Sequence, residues 1–438
     1  MITTPRDKFT LSPGELKCGL EIHQQLEGTK LHCHCPTLIT DEITRTKITR
    51  QLRSVIGETG THDIAALQQS QRNKTFTYEA PTTSTCLIDL DEAPPTPLNK
   101  EALTTTLQLC KLLNCTIVDE AHTMRKIVID GSNTTGFQRT TLTGMNGTLT
   151  TSTGTIGIQT VVLEEDSARL LSTNPTTTTY KLDRLGIPLI EIATAPDITT
   201  PEQAKLVAET LGLLIRATGK AKRGLGTIRQ DLNVSITTGN RVELKGAQDL
   251  KLIPEYIIRE ALRQHNIVTL APTLKKIFLQ PPLEVTSHLS ATASKMITNA
   301  IAGGKRCYAA RVNGAKGILG TELQPNKRVA TELSDYAKQE VGITGLLHSD
   351  ELPGYGLTDV DVNALLNATQ CNANDGFILV IEEERTAYRA FTAITERLHQ
   401  LTNGVPTEVR KALPDGNSSY LRAMPGASRM YPETDVPP

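Results

Sequence analysis

The run Ile228-Arg229-Gln230-Asp231-Leu232-Asn233-Val234-Ser235-Ile236, followed by Thr237-Thr238-Gly239-Asn240 and then Arg241-Val242-Glu243-Leu244-Lys245, sets the frame for the whole chain. Ile228, Leu232, Val234 and Ile236 alternate with Arg229, Asp231, Asn233 and Ser235, the period of a half-buried strand. The Thr-Thr-Gly-Asn run supplies a turn, so a hairpin with a charged face is predicted. Outward from it, strands are predicted at 17–26, 125–130, 156–163 and 186–194. Helices are predicted at 100–114, 201–216 and 253–264, the second capped by Thr200 with Pro201 in its first turn. Beyond Pro281-Pro282 strand-like and helix-like segments alternate to about residue 400, the texture of a separate α+β unit. From Gly404 to Pro438 prolines and weak periodicity predict extended chain. No internal repeat is present.

The 438 residues carry 46 Lys+Arg and 47 Asp+Glu, a formal net charge of -1. That balance argues against coating nucleic acid through bulk charge and leaves room only for local basic patches. Aromatics are 3% and Trp is absent, so the core must rest on Leu, Ile, Val and Ala. Threonine is abundant, notably at 176–179 and through 140–160, and is expected on exposed strand faces and loops at the periphery. No apolar run reaches the roughly 18 residues of a membrane span, and Met1–Leu11 has no signal-peptide pattern. Eight cysteines in so long a chain do not suggest a disulfide framework, so a cytoplasmic location is expected.

Carboxylates dominate the candidate chemistry. Glu21 and His23 share one face of a strand, Glu164-Glu165-Asp166 ends an apolar strand, and Glu191 interrupts the apolar run 187–193. A lone acid in such a run is expected to be buried and to need a cation, a metal or a proton. Three acidic strands with one imidazole suit a divalent metal, while a solvated strand face (Glu21, His23) and an ion pair to Arg184 (Glu191) are the bland alternatives. On the hairpin, Arg229, Asp231, Asn233, Arg241, Glu243 and Lys245 could face a nucleotide or simply pair across strands. The loop from Asp130 to Arg139 could present backbone N–H groups to an anion, although no P-loop pattern occurs. Arg216, Lys220, Lys222, Arg223 and Arg229 form an acid-free basic stretch, a candidate for nucleic acid or nucleotide phosphate. His32-Cys33-His34-Cys35 with Cys86 suggests zinc but lacks a second CxxC pair.

Several of these stretches together resemble the GatB/GatE family. The carrying runs are Gly19-Leu20-Glu21-Ile22-His23, Arg125–Asn133, Gly136–Thr140, Leu163–Asp166, Asp183–Ile192, the hairpin 226–246, Asp350–Gly356, Leu413–Asn417 and Met430–Asp435. The resemblance implies an α+β fold: a cradle-like antiparallel-sheet catalytic domain with flanking helices over 1–280, completed by 405–438. It also implies an inserted α+β domain at 281–404, resembling that of bacterial aspartyl-tRNA synthetase. The family's helical and tail domains would follow residue 438.

The implied reaction is ATP-dependent amidation of Glu-tRNA(Gln), with ammonia from an asparaginase-like glutaminase partner in a heterodimer or heterotetramer. Phosphoryl transfer requires Mg2+. Glu21, His23, Glu165 and Glu191 are expected as metal ligands, with Glu164, Asp231 and Glu243 behind them. Lys245, Arg229 and the loop residues Ser132, Asn133, Gln138 and Arg139 are expected at phosphates, and Asn233 at the nucleotide. Zinc at Cys33, Cys35 and Cys86 is a further expectation. The rival readings are a non-catalytic tRNA-binding or structural subunit, and an aminoacyl-tRNA synthetase. The synthetase reading fails because Gly224-Leu225-Gly226-Thr227-Ile228-Arg229 enters a strand where a synthetase element would open a helix.

Overall fold

A computed structural model describes residues 3–44, 46–51, 74–174, 176–424 and 430–438. The chain is mixed α+β and divides into two compact units. One comprises 18–233, 246–251 and 423–438; the other comprises 1–17, 234–245 and 252–422. The division does not follow the boundaries read from sequence, because 252–280 and 405–422 cluster with 281–404. Part of the expected return segment, 425–429, lies outside the described residues.

The first unit is built on a sheet whose central strand is Pro188–Thr194. Ile190 and Ile192 are fully buried, and each apolar side chain of that size contributes about 1.5–3 kcal/mol through burial. The strand Leu16–Gln25 pairs antiparallel on one side, setting His23 opposite Glu191. Gly154–Glu165 pairs antiparallel on the other, setting Glu164 opposite Leu189. Phe137–Thr151, Thr123–Ile127 and Met430–Pro432 follow in order. A second sheet in this unit joins Lys47–Gln51, Thr75–Glu79, Thr177–Lys181 and Arg169–Thr173. Its core stacks Tyr180 against Phe76 and Tyr78.

Two helices flank this unit. Lys100–Leu112 starts at Asn99, whose side chain accepts from the N–H of Glu101 and Ala102. Pro201–Ala217 starts at Thr200, which accepts from Gln203 N–H, as its sequence predicts. The Thr-rich segment differs from expectation. Phe137–Thr151 is a continuous strand with Thr140, Thr141 and Thr143 buried. These threonines are covered within the fold, and the hydroxyls bond inward: Thr143 donates to Val161 O at 2.7 Å.

The other unit contains the helix Ile253–Leu274, ten residues longer than its predicted end at 264. His265 and Asn266 are poor helix formers, but buried Ile267, Leu270 and Leu274 carry the apolar stripe onward. The turn at 237–240 forms as read, the return strand starts one residue later than expected, at Val242, and Val242–Lys245 pairs parallel with Glu408–Ala412. A five-stranded sheet centred on Arg306–Asn313 and Gly376–Glu382 packs on Lys295–Ala302 and Asp359–Ala368. Elsewhere in this unit three arginines, Arg263, Arg397 and Arg410, are fully buried against Glu260, Glu332 and Glu408. Arg410 donates to Glu332 at 2.7 Å and Arg397 to Glu408 at 2.9 Å.

Candidate functional site

The pleat of Pro188–Thr194 turns Ile190 and Ile192 to one face and Glu191 to the other. Because His23 lies opposite Glu191, its Nε2 comes to 3.1 Å from Glu191 Oε2. Glu164, from the strand on the other side, brings Oε1 to 4.0 Å from the same nitrogen. Potential donor atoms of His23, Glu164 and Glu191 all lie within 4.8 Å of one another. Lys126 completes the group, with Nζ 3.3 Å from Glu164 and 3.5 Å from Glu191.

The electrostatics follow from this crowding. Burial alone would lower the His23 pKa, but the hydrogen bond to Glu191 and the charges of Glu191, Glu164 and Asp231 outweigh it and raise it. Burial pushes the Glu164 carboxyl up, against the pull of Lys126 and His23. Two carboxylates around an imidazole form a mixed oxygen and nitrogen donor set suited to a hard divalent cation. Glu191 is only partly buried, and its partners include His23 and Lys126. Arg184, the alternative partner, instead lies near Asp166 and donates to the carbonyls of Ser167 and Ala168.

The remaining expected residues fall into separate groups. Glu21 projects from the His23 strand, accepts from Asn233 Nδ2 at 2.9 Å, and brings a carboxylate oxygen within 4.8 Å of one on Asp231. Asp231, on the same strand as Asn233, accepts from Gly246 N–H. Glu165 follows Glu164 and so faces the opposite side of its strand. There it meets Arg139 at 3.3 Å and accepts from the Arg139 N–H at 3.1 Å. Arg139 also donates to Glu433 at 2.7 Å, and Arg229 donates to Asp166 at 2.8 Å. Both guanidiniums are therefore already engaged by carboxylates.

Gln138 donates to the Glu165 carbonyl at 2.6 Å, and Ser132 N–H donates to Asp130. Asn133 lines a small cavity of about 20 Å³ with His32, Arg139 and Glu165. The loop expected to cradle an anion is thus largely buried, holding the Glu165 side of the sheet. Glu243 and Lys245 belong to the other compact unit, where they pair with each other. Lys126 stands out in the sequence as a basic residue flanking the loop, yet only register against Gln138 directs it to Glu164.

A second donor cluster lies in the same unit. Cys33, Cys35 and Cys86 converge with Asp89, a ligand candidate that sequence spacing missed. Asp89 accepts from buried Lys30 at 3.0 Å and from Cys86 N–H at 3.0 Å. Burial raises the Cys33 thiol and pushes Cys35 up to about 11. Three sulfurs and a carboxylate match a four-coordinate zinc donor set, with Asp89 in the place of a second CxxC pair.

The family of proteins described as "GatB/GatE catalytic domain" matches residues 16–438. The chain is 48% identical over 434 residues to the E-type subunit of the glutamyl-tRNA(Gln) amidotransferase of Methanocaldococcus jannaschii, covering 97% of this chain and 68% of that protein. It is 46% identical over 432 residues to the protein of the same name from Sulfurisphaera tokodaii, covering 97% and 68%. For that of Pyrococcus horikoshii the identity is 46% over 438 residues, covering 99% and 68%.

Proposed function

The chain belongs to the GatB/GatE catalytic-domain family, and from that premise we propose that it amidates Glu-tRNA(Gln) to Gln-tRNA(Gln) at the expense of ATP. The observation that carries the proposal is the His23, Glu164, Glu191 and Lys126 group on adjacent strands. A carboxylate resists ammonia because oxide is a poor leaving group. Transfer of the γ-phosphoryl group of ATP to the glutamyl γ-carboxylate supplies phosphate as the leaving group. Ammonia then attacks the acyl carbon, the carbon–oxygen bond to phosphate breaks, and nitrogen releases a proton.

His23, Glu164 and Glu191 are the residues that would hold Mg2+, which neutralises phosphoryl charge when bound. Glu21, steadied by Asn233, and Asp231 form an adjoining acidic position. Lys126 is within reach of the same carboxylates and is the cation best placed for a phosphoryl oxygen. Arg139 orients Glu165 from the far side of the acidic strand, and Arg229 holds Asp166 at that strand's end. Cys33, Cys35, Cys86 and Asp89 would hold zinc as a structural ion, with no part in the reaction. Ammonia would come from an asparaginase-like glutaminase subunit, and residues 281–404 would form the synthetase-like insertion. Among the described residues no helix is long and apolar enough to cross a membrane, and a cytoplasmic site of action fits this chemistry.

The test uses the full chain with Glu-tRNA(Gln), ATP, Mg2+ and ammonium salt, with and without the glutaminase partner. Gln-tRNA(Gln) and ADP should form together. Glu191→Gln and His23→Ala should each lower the rate by about 100-fold or more, the scale of losing transition-state charge stabilisation, and should weaken Mn2+ binding in titration. Unchanged amidation in both variants rejects this metal site.

A further inference from the structure

A cavity of about 370 Å³ opens at the end of the His23 strand, lined by Gln24, Arg216, Lys222, Arg223, Thr227 and the backbone at Gly224. We infer that this cavity grips the phosphate backbone of the RNA substrate; the inference rests on the amidation reading and assigns it a contact surface.

Charge comes first. Residues 210–230 contain five cations and no acid. Lys220 pairs with Glu101, and Arg229 with Asp166. The other three, Arg216, Lys222 and Arg223, all line the cavity. Arg216 and Arg223 have no carboxylate partner among the described residues, and the Lys222 ammonium donates only to a carbonyl, Thr37 O. Arg216 sits in the last turn of its helix, where the negative helix end offsets about half a charge. Glu27 is the acid whose charge reaches Lys222. Two further cations remain, and their side chains converge on a concave surface.

Shape comes second. The loop 220–227 is pinned along the strand end: Lys222 N–H donates to Gln25 O at 2.8 Å, and Gln25 N–H donates to Thr227 O at 2.9 Å. The buried Gln24 amide donates to the carbonyls of Lys222 and Thr227 at 2.9 and 3.1 Å, tying both ends of the loop. Gly224 and Gly226 take positive φ, and between them Leu225 stands fully exposed at the apex. Guanidiniums on a preorganised concave surface beside an exposed apolar tip fit a polyphosphate strand with a base or sugar face against the leucine. Gln24 neighbours His23 on the opposite face of one strand, so the cavity shares its rigid support with the metal site.

The test measures tRNA(Gln) binding to the full chain across a range of KCl concentrations, for the wild type, Arg216→Ala/Arg223→Ala, Arg216→Lys/Arg223→Lys and Leu225→Ala. The double alanine variant should bind about tenfold more weakly at 0.1 M salt, and its salt slope should shrink by about 1.8, two phosphate contacts' worth. The double lysine variant should recover the slope, and Leu225→Ala should weaken binding without changing it. Unaltered affinity and slope in the double alanine variant overturn the inference. So does a raised KM for ATP with tRNA affinity intact, which marks the cavity as a nucleotide site. The amidation assay separates the two claims. A chain that amidates with tRNA affinity indifferent to these variants loses only the contact, whereas one that needs them for tRNA binding but does not amidate loses only the reaction.

Discussion

Glu433 shows how much a single residue does in this chain. It accepts from Arg125 Nε at 2.9 Å and from Arg139 Nε at 2.7 Å. Burial alone would raise its carboxyl, but the hydrogen bonds from Arg125, from the backbone of Asp435 and from Arg139, with the Arg139 charge, lower it to about 2. A carboxyl depressed on folding stabilises the native state above its unfolded value, and the contribution fades as pH falls toward the folded value. Acid unfolding should therefore draw on Glu433 between about pH 4.5 and 2. Glu433→Gln should cost about 3 kcal/mol at pH 7 by leaving two largely buried guanidiniums short of charge, and should flatten the stability profile in that window, as read by urea melts at stepped pH. A full loss at pH 7 without flattening refutes the electrostatic account. In the sequence Glu433 is legible only as part of a Tyr-Pro-Glu-Thr-Asp run, because its arginine partners lie about 300 residues away along the chain.

At the scale of the element, the acid-bearing strands are legible in the sequence and their facing is not. Period two correctly puts Glu21 and His23 on one face, but it cannot tell which neighbouring strand each side chain meets. Register decides that, sending His23 to Glu191 and Glu21 to Asn233. Of the consecutive Glu164 and Glu165, only Glu164 joins the imidazole, because successive residues point to opposite faces. Composition places Phe137–Thr151 at the periphery, since threonine is common on exposed strands. In the fold Thr140 donates to Glu164 Oε2 at 3.2 Å. Thr140→Val keeps the branched shape and removes that donor. Mn2+ affinity at the His23 group should fall about 10-fold, the usual effect of losing a bond that orients a ligand, while the melting temperature shifts little. Unchanged affinity in this variant excludes Thr140 from orienting Glu164.

At the scale of the whole molecule, the buried ionic group of the second unit ties distant stretches together. Arg263 is on helix Ile253–Leu274, Glu332 on Val329–Val341, Arg397 on Glu384–Thr402, and Glu408 and Arg410 on the strand Glu408–Ala412. Three positive and three negative charges cancel, so no ion is left uncompensated. Arg397 also packs over the Tyr336 and Tyr420 rings at 5.3 and 5.1 Å. Glu332→Gln should leave three buried arginines facing two carboxylates and cost about 3–5 kcal/mol, measured as a lower denaturant midpoint. A change below about 1 kcal/mol would show that the site relaxes or admits water. The network also accounts for 252–280 and 405–422 clustering with 281–404: the arginines and glutamates that satisfy one another come from all three stretches.

What the amino-acid order determined by itself is local: the alternation of the strands, the Thr200 cap, the turn at 237–240 and the residue types suited to a metal. These depend on neighbours within a few positions, where side-chain period and hydrogen-bonding capacity suffice. The tertiary structure decided which acids gather around the His23 imidazole, that Asp89 joins the cysteine cluster, and that Arg139 and Arg229 are already held by carboxylates. It also set three cations of a chain with net charge -1 around one cavity. Those outcomes depend on strand register and on contacts across tens to hundreds of residues, where a shift of one position turns every side chain to the other face.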